Sequence, residues 1–264
     1  MFRDYLTRWN LTPDGEPIIT PTSRLLPVIY RNTPAMLKIA LVPEEKGGGG
    51  MMAWWNGDGA ARVLAQDGDA LLLERAAGSK SLIEMARTGR DDEACRIICG
   101  VVARLHTPRQ QPPPAVPLTH WFRELAPAAK QRGGILALCA ETAQELLSEP
   151  QDEVVLHGDI HHGNILDFER GWLAIDPKGL FGERGFDYAN LFCNPTGETA
   201  DAPGRLARRA DIVSAASGLD RRRLLKWVLA WSGLSAVWIL SDGAFPHHAL
   251  KIASEAAAEL GLPV

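Results

Sequence analysis

The most informative segment of this 264-residue chain reads Val155-Leu156-His157-Gly158-Asp159-Ile160-His161-His162-Gly163-Asn164-Ile165-Leu166. It fits the pattern H-x-D-x-x-x-x-N, in which Asp159 and Asn164 stand five positions apart. Twelve positions after Asn164, the apolar run 172–175 ends in Asp176. A carboxylate that follows an apolar strand is presented on a loop at the mouth of a cleft. We therefore predict that these polar side chains form one site.

The same residue types occur at the same spacing in protein kinases, where an Asp acts on the acceptor hydroxyl and a later Asn and Asp hold magnesium. Phosphoryl transfer depends on positioning and charge neutralisation more than on covalent catalysis. Asp159 can accept the hydroxyl proton. Asn164 and Asp176 offer the hard oxygen ligands that Mg²⁺ prefers, while phosphates and water complete its shell. The pattern predicts phosphoryl transfer from ATP in the presence of Mg²⁺.

Lys38 is a lone lysine in the apolar run 35–42. Such a lysine either keeps its charge near water at a strand edge or serves as a functional cation. With the kinase-like residues downstream in the expected order, we predict that Lys38 binds the α- and β-phosphates. Glu45 is its predicted brace, and Glu44 is the second choice.

The chain divides into a strand-rich front and a helical back. Short strands are predicted over 35–42, 62–65 and 70–74. Glycines 47–50 should weaken or break the helix around Glu45, because each costs about 1 kcal/mol relative to alanine. The back is predicted to hold several helices: one capped by Asp91 or Asp92 that ends at Pro108, one over 135–147, one over 221–240 capped by Asp220, and one over 249–260. We expect an α+β fold with a front lobe at 1–73, a neck at 74–78, a helical lobe at 79–264, and a cleft between the lobes.

Composition excludes several classes of protein. The net charge of −4 argues against a nucleic-acid partner, which usually requires a basic surplus. The four cysteines form no C-x-x-C pair and are too few for a disulfide framework, so free thiols are expected. The uncharged run 227–241 is shorter than the roughly 18 residues of a spanning helix, so we interpret it and its tryptophans as core. We expect a cytoplasmic protein with no membrane partner.

Other chemistries fit the sequence less well. His157 and His161 are four positions apart, but a zinc H-E-x-x-H site needs a glutamate where Gly158 stands. The chain contains no Walker A pattern G-x-x-x-x-G-K-[ST] and no G-x-S-x-G nucleophile elbow. These observations leave the kinase interpretation as the leading one.

Several parts of the sequence resemble the aminoglycoside phosphotransferases, and in particular the branch with the streptomycin 6-phosphotransferases and the hydroxyurea phosphotransferase-like sequences. The resemblance covers nearly the whole chain. It is carried by residues 34–38, 54–57, 59–63, 91–96, 157–164, 172–177 and 182–190. The glycines at 47–50 depart from the pattern, since relatives have better helix formers there.

The resemblance implies a protein-kinase-like fold of two lobes, dependence on ATP and Mg²⁺, and transfer to a streptidine-ring hydroxyl, most simply position 6 of streptomycin. It also implies roles for single residues. These are Asp159 as the catalytic aspartate, Asn164 and Asp176 as metal ligands, Lys38 as the phosphate-binding lysine, Glu74 to Ala76 as the adenine-binding neck, and Asp187 as a buried support of the catalytic loop.

The expected acceptor is a small cation, because guanidinium groups pair well with carboxylates. Glu183, Asp201 and Asp211 are the candidate acceptor contacts. Two alternatives stay open: a kinase of the same fold for hydroxyurea, a sugar or an amino alcohol, and a non-catalytic nucleotide-binding module. The second should lack at least one of the key residues, and this chain has them all. A monomer is expected.

Overall fold

An antiparallel sheet occupies the N-terminal part of the chain, where apolar residues alternate along the sequence. The computed structural model describes residues 1–197 and 202–263. The strands are β1 (Thr12–Pro13), β2 (Ile18–Ile19), β3 (Ser23–Tyr30), β4 (Thr33–Ala40), β5 (Val63–Asp67) and β6 (Ala70–Glu74). They pair in the order β1-β3-β4-β6-β5, with β2 added to β3. The strands predicted over 35–42, 62–65 and 70–74 correspond to β4, β5 and β6.

The two faces of β4 lie in different environments, one in the core of the sheet and the other toward the cleft. Leu37 and Ile39 are buried against Leu26 and Val28 of β3 in the core of the sheet. Lys38 lies between them in sequence and therefore points to the opposite face. Its neighbours across the sheet are Leu25 on β3 and Leu71 on β6. The alternation thus removes the lysine from the core of the sheet and directs it toward the cleft.

The first helix, α1 (Phe2–Arg8), was not predicted from the sequence. Its N-cap residue makes no side-chain cap bond, and the helix buries none of its residues fully, so no start signal and no strong apolar stripe mark it. Phe2, Tyr5 and Leu6 pack partly buried against the core of the sheet.

The glycine-rich segment forms two short helices, α2 (Pro43–Lys46) and α3 (Gly48–Trp55), which are separated at Gly47. The expected break is therefore present. Gly48 is required by a close approach: a Cβ atom there would lie 2.3 Å from the carbonyl oxygen of Pro177. Gly50 has no such restriction, since its Cβ would lie 3.9 Å from the nearest atom, in the side chain of Pro113.

The segment 48–61 packs against the helical lobe although it precedes the predicted neck. Trp55 is 1% exposed and donates a hydrogen bond from Nε1 to the Leu105 carbonyl at 3.0 Å. The amide of Ala61 donates to the Ala174 carbonyl at 2.9 Å. This part of the predicted front lobe over 1–73 therefore shares the core of the helical lobe.

The helical lobe contains longer elements. Its described helices are α4 (Leu82–Arg87), α5 (Asp91–Leu105), α6 (Leu118–Trp121), α7 (Leu125–Arg132), α8 (Ile135–Ser148), α9 (Phe186–Ala189), α10 (Arg205–Ser217), α11 (Arg221–Ser241) and α12 (His247–Leu260). Helix α11 packs against α8 and α12 at the centre. It has the length and composition of a membrane-spanning helix, with a mean hydropathy of 1.4, yet 67% of its most apolar window is buried inside the protein. The interpretation of this run as a core helix is confirmed.

The observed N-caps of these helices agree only in part with the caps predicted from the sequence. The Asp220 side chain accepts a hydrogen bond from the Arg223 amide at 2.8 Å and caps α11 as predicted. The predicted cap by Asp91 or Asp92 is wrong, because Arg90 occupies the N-cap of α5 without a side-chain bond. The Asp91 carboxylate instead pairs with Arg205 and Arg209 of α10. All four cysteines are free and buried.

Two small sheets hold the loops of the site. Strands β7 (Val116–Pro117), β8 (Glu153–Leu156) and β11 (Leu180–Glu183) form one, in the order β7-β11-β8. Strands β9 (Ile165–Phe168) and β10 (Gly171–Ala174) form a hairpin. The segment 157–164 connects β8 to β9, and Asp176 follows β10. Both loops therefore emerge where the helical lobe meets the first sheet.

Candidate active site

Asp187 fixes the backbone of the loop that carries Asp159. Its carboxylate accepts hydrogen bonds from the amides of His157 at 2.9 Å and Gly158 at 2.7 Å, and His106 Nε2 lies 2.8 Å from it. Burial alone would raise the pKa of Asp187, but the bond to His106 and the other partners outweigh burial and lower it. The carboxylate therefore stays ionised and can hold both amides. This position agrees with the support role expected for Asp187.

His157 connects the same loop to the strand before Asp176. The ring is fully buried, which lowers its pKa and keeps it neutral. Its Nε2 lies 2.9 Å from the Ile175 carbonyl, and its Nδ1 lies 3.2 Å from the Asp159 amide. A neutral ring meets both partners when Nε2 carries the proton, donates to the carbonyl, and leaves Nδ1 to accept. The sequence prediction that His157 packs beneath the loop is confirmed.

The Asp159 carboxylate is oriented by two amide side chains. Asn190 Nδ2 donates to Oδ1 at 2.8 Å, and Asn164 Nδ2 donates to Oδ2 at 3.2 Å. The side chain keeps 26% of its surface exposed, so a hydroxyl can reach it. Asn190 had no role in the sequence analysis. It is 31 positions away from Asp159, and only the fold brings the two together.

Asn164 and Asp176 fit a magnesium site that is completed by a nucleotide. The Asn164 amide nitrogen donates to the Asp159 carbonyl at 2.9 Å, which leaves its oxygen for a metal. Among the described residues, no group of three or more His, Cys, Asp or Glu side chains could hold a metal alone. One amide and one carboxylate suit Mg²⁺, which takes most of its ligands from phosphates and water.

Asp176 has a left-handed backbone, with φ of +65°. For a residue other than glycine this conformation costs on the order of 1–3 kcal/mol, and such strain concentrates at functional sites. Burial would raise the pKa of its carboxyl, but Lys38 and Lys178 outweigh burial and lower it. The carboxylate is therefore charged at neutral pH, as a metal ligand must be.

Glu45 lies at the centre of a cluster of charges. It is 6% exposed, with Oε2 at 2.5 Å from Lys38 Nζ and Oε1 at 2.5 Å from Lys178 Nζ. The Lys38 ammonium also contacts Asp176 Oδ1. The predicted brace of Lys38 is thus in place at Glu45. Lys178 was missed, although its position two residues after Asp176 was the available signal.

A cavity of about 420 Å³ lies between the first sheet and the β9–β10 hairpin. Its lining residues include Met36, Lys38, Leu73, Phe168, Asp176 and the neck residues Glu74 to Ala76. The Glu74 carboxylate itself is turned to Arg170 at 2.5 Å and to the Arg62 amide at 2.7 Å. The backbone of the neck is therefore the part available to a ligand.

A second cavity of about 480 Å³ lies on the other side of Lys178. Its lining includes Gly47, Val116, His120, Trp121, Glu124, Lys178, Gly179 and Trp238. Trp121 and Trp231 each meet Trp238 edge to face, with ring centroids 5.5 Å apart. Trp231 Nε1 donates to Asn190 Oδ1 at 3.2 Å, which links this wall to Asp159. Trp227 and Trp231 are buried in the core, as interpreted from the sequence, and Trp238 packs against the same core but is only partly buried and also lines this cavity.

The predicted acceptor contacts lie elsewhere. Glu183 is 2% exposed, and its carboxylate is fully used by Arg223, by Trp227 Nε1 at 2.7 Å and by the Gln151 amide at 3.0 Å. The prediction of an acceptor contact at Glu183 is therefore wrong, because no lone pair is left for a substrate.

Asp211 also lies away from the cavities. It is exposed and pairs at 2.7 Å with Arg221, in the first turn of α11. Arg221 precedes Trp231 by ten residues, which is about 15 Å along a helix. The acceptor prediction for Asp211 is wrong for that reason. Asp201 lies outside the described residues.

Comparisons with known proteins show which family the chain resembles. The family model described as aminoglycoside/hydroxyurea antibiotic resistance kinase matches residues 8–243. A streptomycin 3''-kinase of Klebsiella pneumoniae is 50% identical over 90% of this chain and 92% of its own length. A streptomycin 6-kinase of Streptomyces griseus is 35% identical over 89% of this chain and 81% of its own.

A solved structure shows the same fold at low identity. It is an aminoglycoside phosphotransferase mutant in complex with AMP-PNP and hygromycin B, with a TM-score of 0.65, 12% identity, and coverage of 98% of this chain and 96% of that one. The fold is therefore the expected protein-kinase-like one. Because the family model covers most of the chain and the relatives align along nearly its full length, the chain belongs to the aminoglycoside/hydroxyurea antibiotic resistance kinases, which are phosphotransferases.

Proposed function

We propose that this kinase phosphorylates streptomycin with ATP and Mg²⁺, and that the acceptor is the 3''-hydroxyl. The observation that carries the proposal is the oriented Asp159 carboxylate, which Asn190 and Trp231 connect to Trp238 in the lining of the second cavity. The 50% identity to a streptomycin 3''-kinase favours that position over position 6, since the 6-kinase is 35% identical. The 6-hydroxyl, which the sequence resemblance implied, is the alternative site on the same acceptor.

The nucleotide has a matching place in the cavity of about 420 Å³. Its apolar lining from Met36, Leu73 and Phe168 suits an adenine ring, and the neck backbone offers hydrogen-bonding groups. Lys38 lines this cavity and would contact the α- and β-phosphates. Asn164 and Asp176 would hold Mg²⁺, which supplies neutralisation of the phosphate charge.

The second cavity suits a cationic acceptor of drug size. Its volume of about 480 Å³ is in the range typical of small-molecule sites and much larger than hydroxyurea needs. The Trp121 and Trp238 rings can bind a guanidinium by cation–π contact. Glu124 and Arg123 both line this cavity, and the Glu124 carboxylate lies 3.2 Å from the Arg123 guanidinium. A guanidinium of the acceptor that takes the place of Arg123 can form a two-point bond with this carboxylate.

Asp159, Asn190 and Asn164 have separate roles in the proposed reaction. Asp159 orients the acceptor hydroxyl and receives its proton. The oxygen then forms a bond to the γ-phosphorus while the bond from that phosphorus to the β–γ bridging oxygen breaks, and ADP leaves with the electron pair. Asn190 and Asn164 keep the carboxylate in place during the transfer. We place the reaction in the cytoplasm, where ATP is available and the four free thiols stay reduced.

The position of transfer is tested on the product. The purified protein is incubated with MgATP and streptomycin, and phosphorus–proton correlation spectroscopy identifies the proton next to the phosphate ester. We expect a signal from the amino-sugar ring, at position 3''. A signal from the streptidine ring would assign the 6-hydroxyl instead. ADP release with hydroxyurea, choline or a simple sugar, and none with streptomycin, would overturn the proposed acceptor.

A further inference from the structure

Lys178 occupies the junction between the two cavities. Its own side chain lines the acceptor cavity, while Asp176, two residues before it, lines the nucleotide cavity. The Lys178 ammonium lies 3.8 Å from Asp176 Oδ2 and 2.5 Å from Glu45 Oε1. The structure therefore places a cation between the residues that line the nucleotide cavity and those that line the acceptor cavity.

The backbone around Lys178 is fixed to the catalytic loop. Its amide donates to the His157 carbonyl at 2.7 Å, and the next carbonyl, of Gly179, accepts from the Val116 amide at 2.9 Å. On the other side, the Pro177 carbonyl faces Gly48 so closely that no side chain fits between them. The base of the Lys178 side chain is therefore held at a constant position relative to Asp159. Its four-carbon stem still allows the ammonium to move by a few ångström.

Lys178 is the second lysine, beside Lys38, in a cluster with two carboxylates. Glu45 and Asp176 are two carboxylates matched by two ammonium groups, Lys38 and Lys178. When Asp176 turns to a metal and Lys38 turns to the α- and β-phosphates, Lys178 is the remaining described cation of this cluster. It is 17% exposed, so water screens its charge only weakly.

We propose that Lys178 is a catalytic residue whose ammonium contacts the phosphoryl group during its transfer to the acceptor. This inference rests on the proposed kinase function. Negative charge in the transition state spreads over the three equatorial oxygens of the phosphoryl group. A cation fixed beside those oxygens stabilises the transition state more than the bound substrates. Lys178 stays protonated throughout, since the acceptor proton goes to Asp159.

The main alternative is that Lys178 only positions Glu45 and, through it, Lys38. Removal of Lys178 would then weaken nucleotide binding, because the phosphate contact of Lys38 would be lost. A direct contact predicts a different pattern, in which the ground-state affinity is kept and the rate falls. The two roles are therefore distinguishable by separate measurements of binding and turnover.

The test compares Lys178→Met with Lys46→Met. Lys46 is the matched control, because it is exposed, pairs with Asp69 and lies outside both cavities. With Lys178→Met we expect a loss in kcat of about 10²–10³-fold and a change in the MgADP Kd of less than about threefold. The binding of MgADP with aluminium fluoride, a planar analogue of the phosphoryl group, should weaken by a factor similar to that in kcat. Lys46→Met should change none of these values.

A double-mutant cycle with Glu45→Gln separates direct from indirect action. If Lys178 acts on the phosphoryl group, Lys178→Met should lower analogue affinity by a similar factor in both backgrounds. No further loss in the Glu45→Gln background would overturn the proposal and assign Lys178 to positioning. Wild-type analogue affinity in Lys178→Met would also overturn it. The analogue measurement needs no acceptor, so a wild-type protein that fails to use streptomycin refutes the proposed acceptor and leaves this test intact.

Discussion

At the scale of the residue, Asp176 shows how local sequence identifies a functional group but not its state. The apolar run before it and its distance from Asn164 marked it as a metal ligand. Its left-handed backbone and its two lysine neighbours depend on the fold. The same holds for Asp159: the motif identified it, whereas Asn190 and the Asp187–His106 support come from distant segments. The short motifs were readable from the sequence; of their supports, Asp187 was expected from the family resemblance, whereas Asn190 and His106 were not.

Asp176→Asn tests the metal role. Asparagine adopts the left-handed backbone at least as readily as aspartate, so the fold should be kept. The charged ligand is lost, and the Mg²⁺-dependent part of ATP affinity should disappear. Calorimetric titration of ATP with and without Mg²⁺ measures this, with Asp152→Asn, an exposed acid, as the control. An unchanged magnesium dependence in Asp176→Asn would remove Asp176 from the metal site.

At the scale of the element, helices with a clear apolar stripe were predictable. Helices α5, α8 and α11 were expected close to their observed bounds. The cap of α5 was not, because the ion pairs of Asp91 with α10 stabilise it in a different role. The predicted acceptor contacts Glu183 and Asp211 were wrong for a similar reason, because each already forms an ion pair within the protein. Charge alone does not show whether an acid such as Glu183 already has a partner.

The glycine segment offers a matched pair of substitutions. Gly50→Ala has room for its methyl group and should stabilise α3 by up to about 1 kcal/mol. Gly48→Ala would place a Cβ atom 2.3 Å from the Pro177 carbonyl oxygen, so the helix must move away from the Asp176 loop. We expect lower stability and weaker MgATP binding for Gly48→Ala only. Urea unfolding and calorimetry measure the two effects. Equal behaviour of the two variants would show that the close approach is not required.

The segment that contains α6 and α7 lines the acceptor cavity, and it gives a prediction about acceptor binding. Glu124→Gln keeps the size of the side chain but removes its charge, so it should raise the KM for streptomycin by roughly tenfold. The KM for ATP should not change, because Glu124 does not line the nucleotide cavity. Glu141→Gln, on α8 outside both cavities, is the control. Equal KM values for streptomycin in all three proteins would exclude Glu124 as an acceptor contact.

At the scale of the whole molecule, buried histidines determine how stability depends on pH. Burial lowers the pKa of His157, and burial together with Arg209 and Arg205 lowers the pKa of His162 to about 2. In the unfolded chain a histidine takes up a proton near pH 6.5, which the folded chain does not. The free energy of unfolding should therefore fall as the pH drops below about 6.5.

The expected slope is about 1.4 kcal/mol per pH unit for each such histidine. Urea unfolding at pH values from 7.5 to 5.5 measures it. His162→Leu removes one titrating group, and His162 has no hydrogen-bond partner for its ring nitrogens among the described residues. This variant should show a shallower slope. A wild-type stability that stays constant or rises toward pH 5.5 would contradict the neutral, buried state of both histidines.

In the proposed reaction, Asp159 accepts the proton of a streptomycin hydroxyl during phosphorylation. The most direct test is the turnover of streptomycin by the wild-type protein and by Asp159→Asn, each with its MgATP affinity measured. We predict that the wild-type protein phosphorylates streptomycin, and that Asp159→Asn binds MgATP normally but is slower by roughly 10²–10⁴-fold. Near-normal turnover of streptomycin by folded Asp159→Asn would contradict the claim.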